Sequence, residues 1–259
     1  MVPKVKFEIM SLEESFEYIY RFLNPRKGKI DHESSVYRYF PELADMLRNI
    51  KDEEEKYKTT KEFVTKIYND SKGDIENNVS LFQKEWDKVN EKVLEKLEEI
   101  LNTKWNADIK IITARVGLAP TCPRNIAKNE FIVDVRSNIE WMKPMSAHEL
   151  LHFIWFQKWK EMYEDYDIVE SCSPHLIWYI SEMVVDPILN DNRIKDILKH
   201  NSEAYGIFYS TYINENESLI DRMRWIYNNS NNIEDFICKS YDFAKENQEL
   251  IINSAIKKD

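Results

Sequence analysis

The chain has 259 residues, a formal net charge of -10, and a residue content that is 43% hydrophobic, 13% aromatic and 32% charged. That length can bury a sizeable core as one large domain or two small ones, and the aromatic content marks a folded chain in spite of its charge. The acidic balance, without a lysine or arginine run, argues against a nucleic-acid partner, and four glycines leave no glycine-rich phosphate loop and disfavour an all-β fold. A basic peptide would suit the charge, but a solvated surface explains it equally well. Cys122, Cys172 and Cys238 are odd in number and widely spaced, with no CxxC pair, so no disulfide framework is expected. The N-terminus lacks the apolar core of a signal peptide, and no apolar run reaches the roughly 18 residues of a membrane span. The expectation is a cytoplasmic protein with no membrane partner.

In chain order, residues 4–10 alternate loosely and predict a short strand. Ser11, with Glu14 three residues on, predicts a capped helix with an apolar stripe of Phe16, Tyr20, Phe22 and Leu23. Residues 24–29, Asn-Pro-Arg-Lys-Gly-Lys, predict a turn. Residues 41–70 predict further helix, with Pro41 in its first turn. The clearest amphipathic pattern covers 74–103. Ile75, Val79, Phe82, Trp86, Val89, Val93, Leu97 and Ile100 recur at three- and four-residue steps, which predicts one helix packed on the chain's own core. The stripe never settles into heptads, so a partner-binding coiled coil is the weaker reading.

Residues 108–116 and 129–136 are rich in β-formers and predict two strands, with Gly117 to Arg124 as a loop between them. Phe131, Val133 and Val135 share one strand face. Next comes Met145-Ser-Ala-His-Glu-Leu-Leu-His-Phe-Ile154, followed by the apolar Trp155, Phe156 and Trp159, which predicts a central buried helix. Residues 161–170 predict a loop. Ser173 and Pro174 predict the cap and first position of another helix, running to about Asp186 and stopped by Pro187. Three or four helical segments then follow, with Asn-rich breaks near 190–192, 201 and 228–232.

The chemistry concentrates in His148-Glu149-Leu150-Leu151-His152, an HExxH motif. On a helix, His148 and His152 lie one turn apart on one face, where both imidazoles can hold one Zn2+. Glu149 can act as general base on a metal-activated water. A hydrolytic zinc site usually has three protein ligands, so one more is needed. A third histidine six residues past His152 would fall on Lys158, which excludes the metzincin pattern. Glu182 fits better, 30 residues past His152, with Asp186 one turn beyond it. Other candidates for the third ligand are Glu161, Glu164, Asp165, Asp167, Glu170 and His175. His175 could also bind substrate or an oxyanion, or simply stand at a helix start on the surface. Tyr205, Tyr209 and Tyr212 are possible phenolic donors, while Tyr179 reads as core. Cys122 and Cys172 read as buried thiols before soft metal ligands.

Over about residues 129–187 this arrangement resembles the gluzincin zinc metallopeptidases, the group that includes thermolysin. The resemblance implies Glu182 as third metal ligand, and Asp186 as the hydrogen-bond partner that orients His148. It implies a zincin-like core of a small sheet, the HExxH helix and a following glutamate helix. It also implies a peptide or protein substrate, paired along a cleft-edge strand at Phe131–Val135. The GxMxN signature of gluzincin aminopeptidases is absent.

The expected architecture is therefore α+β and mostly helical. Residues 1–104 form a helical N-terminal region, 105–190 the catalytic core and 191–259 a helical C-terminal region, together making one compact unit. The expected function is zinc-dependent hydrolysis of peptide bonds. The alternative is a metal-stabilised or metal-free helical binding module without catalysis.

Overall fold

A computed structural model describes residues 1–24 and 32–255. Beyond Asn24, the turn expected over residues 24–29 lies outside the described residues. The architecture is α+β and mostly helical. Strand β1 (Lys4–Ile9) is followed by α1 (Leu12–Leu23), α2 (Glu33–Tyr39), α3 (Pro41–Leu47), α4 (Glu53–Asp70), α5 (Lys72–Asp87) and α6 (Asn90–Leu101). Then come β2 (Ile111–Gly117), β3 (Arg124–Asn125), β4 (Glu130–Asp134) and the long helix α7 (Ile139–Met162). Helices α8 (Leu176–Met183), α9 (Val185–Leu189), α10 (Asn192–Leu198) and α11 (Gly206–Ser210) precede a small hairpin, β5 (Tyr212–Asn214) with β6 (Glu217–Ser218). Helices α12 (Leu219–Asn228), α13 (Ile233–Glu246) and α14 (Gln248–Ala255) complete the described chain.

Local signals set several boundaries. Ser11 accepts from the Glu14 amide and Glu14 returns the bond to the Ser11 amide, closing the expected capping box of α1. Pro41 stands at the start of α3, where its missing N–H costs nothing. The helix expected over 41–70 is nonetheless two, because the chain turns between Leu47 and Asp52, and Asp52 caps α4 through the Glu55 amide.

The amphipathic pattern over 74–103 also forms two helices. Its apolar stripe is buried within this chain: Ile75, Phe82, Trp86, Val93, Leu97 and Ile100 all belong to the core. The break falls at Lys88 and Val89, and side-chain amides on either side of it grip β1. Gln83 accepts from the Phe7 amide and donates to the Val5 carbonyl, while Asn90 accepts from the Val5 amide and donates to the Pro3 carbonyl. These four bonds satisfy the free edge of β1, which would otherwise present unpaired backbone groups.

The main sheet has the order β1-β2-β4-β3, with β1, β2 and β4 parallel and β3 antiparallel to β4. The N-terminal region thus supplies a strand to the sheet that leads into the motif helix, so the sheet crosses the expected boundary at residue 104. Val5 and Phe7, Ile112, Ala114 and Val116, and Phe131 and Val133 are all buried on one face, against α5 and α7. The alternation is that of a strand with one covered face.

Strand β4 is interior, which corrects its expected role at a cleft edge. Arg124 and Asn125 pair with Phe131 and Glu130, and the Ile132 amide donates to the Pro123 carbonyl. The edge position belongs to β3, which begins at Arg124, the last residue of the segment expected to be a loop. Two residues are too few to show a strand period.

Helix α7 begins before the motif, capped by Asn138 through the Trp141 amide, and carries Pro144 inside its second turn. Pro144 removes only one internal bond. Beyond it, most of the helix is buried, including Leu150, Leu151, Ile154, Trp155 and Trp159. The cap of α8 is His175, two residues later than expected, and Ser173–Pro174 lies outside the helix. Pro187 sits inside α9 and does not end it. Having no N–H, it cannot donate to Met183, and α8 and α9 meet at Val184. The β5–β6 hairpin interrupts the all-helical pattern expected after residue 188. No helix among the described residues is long and apolar enough to cross a membrane.

Candidate metal centre

The middle of α7 and the last turn of α8 build the site. The 3.6-residue period places His148 and His152 on one side of α7, with ring centroids 4.8 Å apart. Glu182 comes from α8 and meets both rings. Its Oε2 lies 3.3 Å from His148 Nε2 and 3.5 Å from His152 Nε2. Among the described residues, His148, His152 and Glu182 form the one group of three or more His, Cys, Asp or Glu side chains close enough to share a metal ion.

The site is almost closed. His152 and Glu182 are shut off from solvent, Glu149 nearly so, and His148 keeps 18% of its side chain exposed. Neither ring nitrogen of His152 has a hydrogen-bond partner, and neither does Glu149 Oε2. A buried imidazole with both nitrogens unpaired is costly unless another group satisfies one of them. A divalent cation coordinated by both Nε2 atoms and Glu182 Oε2 does so, so the donor set fits Zn2+.

Burial pushes His152 down to about 3, with the charge of Arg124 acting in the same direction, so its lone pair is available at neutral pH. Burial also acts against charge on His148, but the hydrogen bond it makes to Glu182 and the carboxylates of Glu149 and Glu182 outweigh burial and raise the imidazole. Glu149 is pushed up to about 7 by burial, with the charges of His148 and Arg124 opposing. Burial opposes ionisation of Glu182 too. With His152 neutral, the permanent charge of Arg124 and the hydrogen bond with His148 hold Glu182 well below the usual carboxylate range.

Arg124 is the residue that the sequence did not reveal. It reaches the site from β3, the edge strand. Its Nη1 donates to Glu182 Oε1 at 2.8 Å and lies 3.9 Å from Glu149 Oε2, and its Nη2 donates to Ser181 Oγ at 3.3 Å. The guanidinium sits over Phe156, 5.6 Å from the ring centroid. No spacing in the chain marks Arg124, because its partners lie 25 and 58 residues away.

Asp186 has partners other than the expected one. Its carboxylate accepts two bonds from Arg224, at 2.7 and 2.9 Å, and one from the Tyr209 hydroxyl at 2.6 Å, and no hydrogen bond joins it to His148. Asp186 lies on α9, and these bonds tie its carboxylate to α11 and α12. His175 occupies the N-cap of α8 without a side-chain capping bond, half-buried and outside the ligand group.

The remaining candidates are elsewhere. Glu161 accepts from Thr103 and Gln157, and Asp167 caps a 3-10 turn with Glu170. Glu164 and Asp165 are also outside the group. Cys172 and Cys238 are exposed and Cys122 half-buried, so Cys172 is not the buried thiol expected, and none joins the ligand group. Tyr179 is core. Tyr209 is committed to Asp186, and Tyr212 is exposed. Burial, then the charges of Glu182 and Glu149, raise the Tyr205 phenol, although the residue is 42% exposed and its ring lies against Trp178 and Phe208. No protein-family model, curated protein or solved structure matches this chain.

Proposed function

We propose that the protein is a zinc-dependent hydrolase of the zincin type that cleaves peptide bonds. The observation that carries this reading is the division of the Glu182 carboxylate. Oε1 is held by Arg124, while Oε2 faces both Nε2 atoms of an HExxH helix. That leaves one carboxylate oxygen and two imidazole nitrogens converging on one point, the donor set of a catalytic zinc with a position left open.

When bound, zinc supplies a Lewis acid that activates water and polarises a carbonyl. The protein's own groups do the rest. Glu149 Oε2 has no partner and can take the proton of the attacking water, then return it to the leaving amine. Arg124 provides hydrogen-bond donors beside the carboxylates, and the apolar wall of Phe156 limits water. The interior position of β4 leaves β3 as the strand beside which an extended substrate can lie.

The test is Glu149→Gln, with zinc content and cleavage of a peptide library measured together. Wild-type protein is expected to hold about one zinc and to cleave. The variant is expected to keep its zinc and lose at least about 100-fold in rate. Cleavage at the wild-type rate by the variant would rule out the role of Glu149, and absence of zinc from wild type after reconstitution would rule out the metal.

A further inference from the structure

Two carboxylates, Glu182 and Glu149, are buried at the site, and neither nitrogen of His152 has a hydrogen-bond partner. Ionised carboxylates are strongly disfavoured in such a place unless a cation sits beside them. Arg124 is the permanent cation in contact with them. Its side chain is 9% exposed, with Nη1 2.8 Å from Glu182 Oε1 and 3.9 Å from Glu149 Oε2. The Ser181 hydroxyl and the face of Phe156 fix the guanidinium plane. A guanidinium cannot lose its charge and presents a rigid fork, so it is suited to a fixed structural task in a closed site.

We propose that Arg124 is a positioning residue, supplying the built-in counter-charge that keeps Glu182 and the two histidines assembled when no metal is bound. It takes Oε1 and leaves Oε2 pointing between the two Nε2 atoms. The ligand set is then formed before the metal arrives, and folding does not depend on metal as it does in small zinc domains. The metal part of this inference rests on the zincin reading, whereas the counter-charge part stands on the metal-free geometry alone. Because zinc and Arg124 are both cations beside one carboxylate, each partly replaces the other.

The experiment is a double-mutant cycle on chelator-treated protein, read by thermal unfolding, followed by addition of zinc. Arg124→Met is expected to lower Tm by roughly 6–20 °C, because it leaves a buried carboxylate without its cation. Arg124→Lys is expected to recover part of the loss, since it restores the charge but not the fork. Arg124→Met combined with Glu182→Gln is expected to be more stable than Arg124→Met alone, because the orphaned charge is gone. Zinc is expected to raise the Tm of Arg124→Met by more than it raises that of wild type. If Arg124→Met does not fold, the double variant decides: a folded double variant supports the counter-charge role. A double variant as unstable as the single one would overturn it and reduce Arg124 to packing against Phe156. An unchanged Tm in Arg124→Met would overturn it as well. If zinc shifts no variant while the cycle shows coupling, the zincin reading falls and the counter-charge role of Arg124 stands.

Discussion

His152 and Glu182 meet at 3.5 Å, both shut off from solvent, and neither nitrogen of His152 has a hydrogen-bond partner. The imidazole has two unpaired nitrogens, and the carboxylate points one oxygen at it. A structural contact of this kind would leave buried polar groups unpaired, and a bound cation removes that cost. His152→Ala is therefore expected to abolish stoichiometric zinc binding. Wild type should carry about one zinc per chain by elemental mass spectrometry. Undiminished zinc in the variant would move the ligand role away from His152.

Arg224 grips Asp186 with two bonds and Tyr209 adds a third, tying α9 to α11 and α12. Asp186 is buried but Arg224 is nearly half exposed, so solvent screens the pair. Arg224→Met is expected to cost about 1–3 kcal/mol in chemical denaturation, mostly by leaving the Asp186 carboxylate under-satisfied. Zinc content is expected to be unchanged, because Asp186 does not contact His148. A variant that lost zinc without losing stability would restore Asp186 as the orienting partner of His148.

The pH dependence of stability has a definable contribution at Asp191. The hydrogen bond from Arg193, opposed by burial and assisted by Tyr227, brings its carboxyl down to about 2. An unfolded aspartate titrates near 3.9. A depressed folded value stabilises the native state above the unfolded value, and that stabilisation disappears as pH falls from about 4 toward 2. Asp191→Asn is expected to be less stable than wild type at pH 7, with the gap closing between about pH 4 and pH 2. The check is the difference in urea midpoint across that range. A gap that stayed constant down to pH 2 would mean that the charge of Asp191 contributes nothing.

The edge of β1 gives a local test of the fold. Asn90→Ala removes the acceptor of the Val5 amide and of Trp86 Nε1 and the donor to Pro3. A loss of about 1–3 kcal/mol is expected, from bonds left unmade at a partly buried edge. Hydrogen exchange should accelerate at Val5. Exchange at an unchanged rate would show that the side-chain amide is not what protects this edge.

Periodicity within single elements was enough to show a helix-rich α+β chain, the capping box of α1, the strands β2 and β4 with Phe131 and Val133 on one face of the latter, and a buried motif helix. The same local geometry put His148 and His152 on one side of α7, because residues four apart on a helix are neighbours whatever surrounds them. What needed the tertiary structure depended on partners far along the chain. The break at Val89 accompanies the grip of Gln83 and Asn90 on β1, although the apolar stripe runs on without interruption. Asp186 is paired with Arg224, 38 residues on, and with Tyr209, partners that no spacing along the glutamate helix reveals. Arg124 reaches Glu182 across 58 residues of sequence from a strand too short to have a readable period. Local pattern records which side of an element avoids water. It does not record which charged groups share the same buried space, and at this site that sharing determines the geometry of the ligand set.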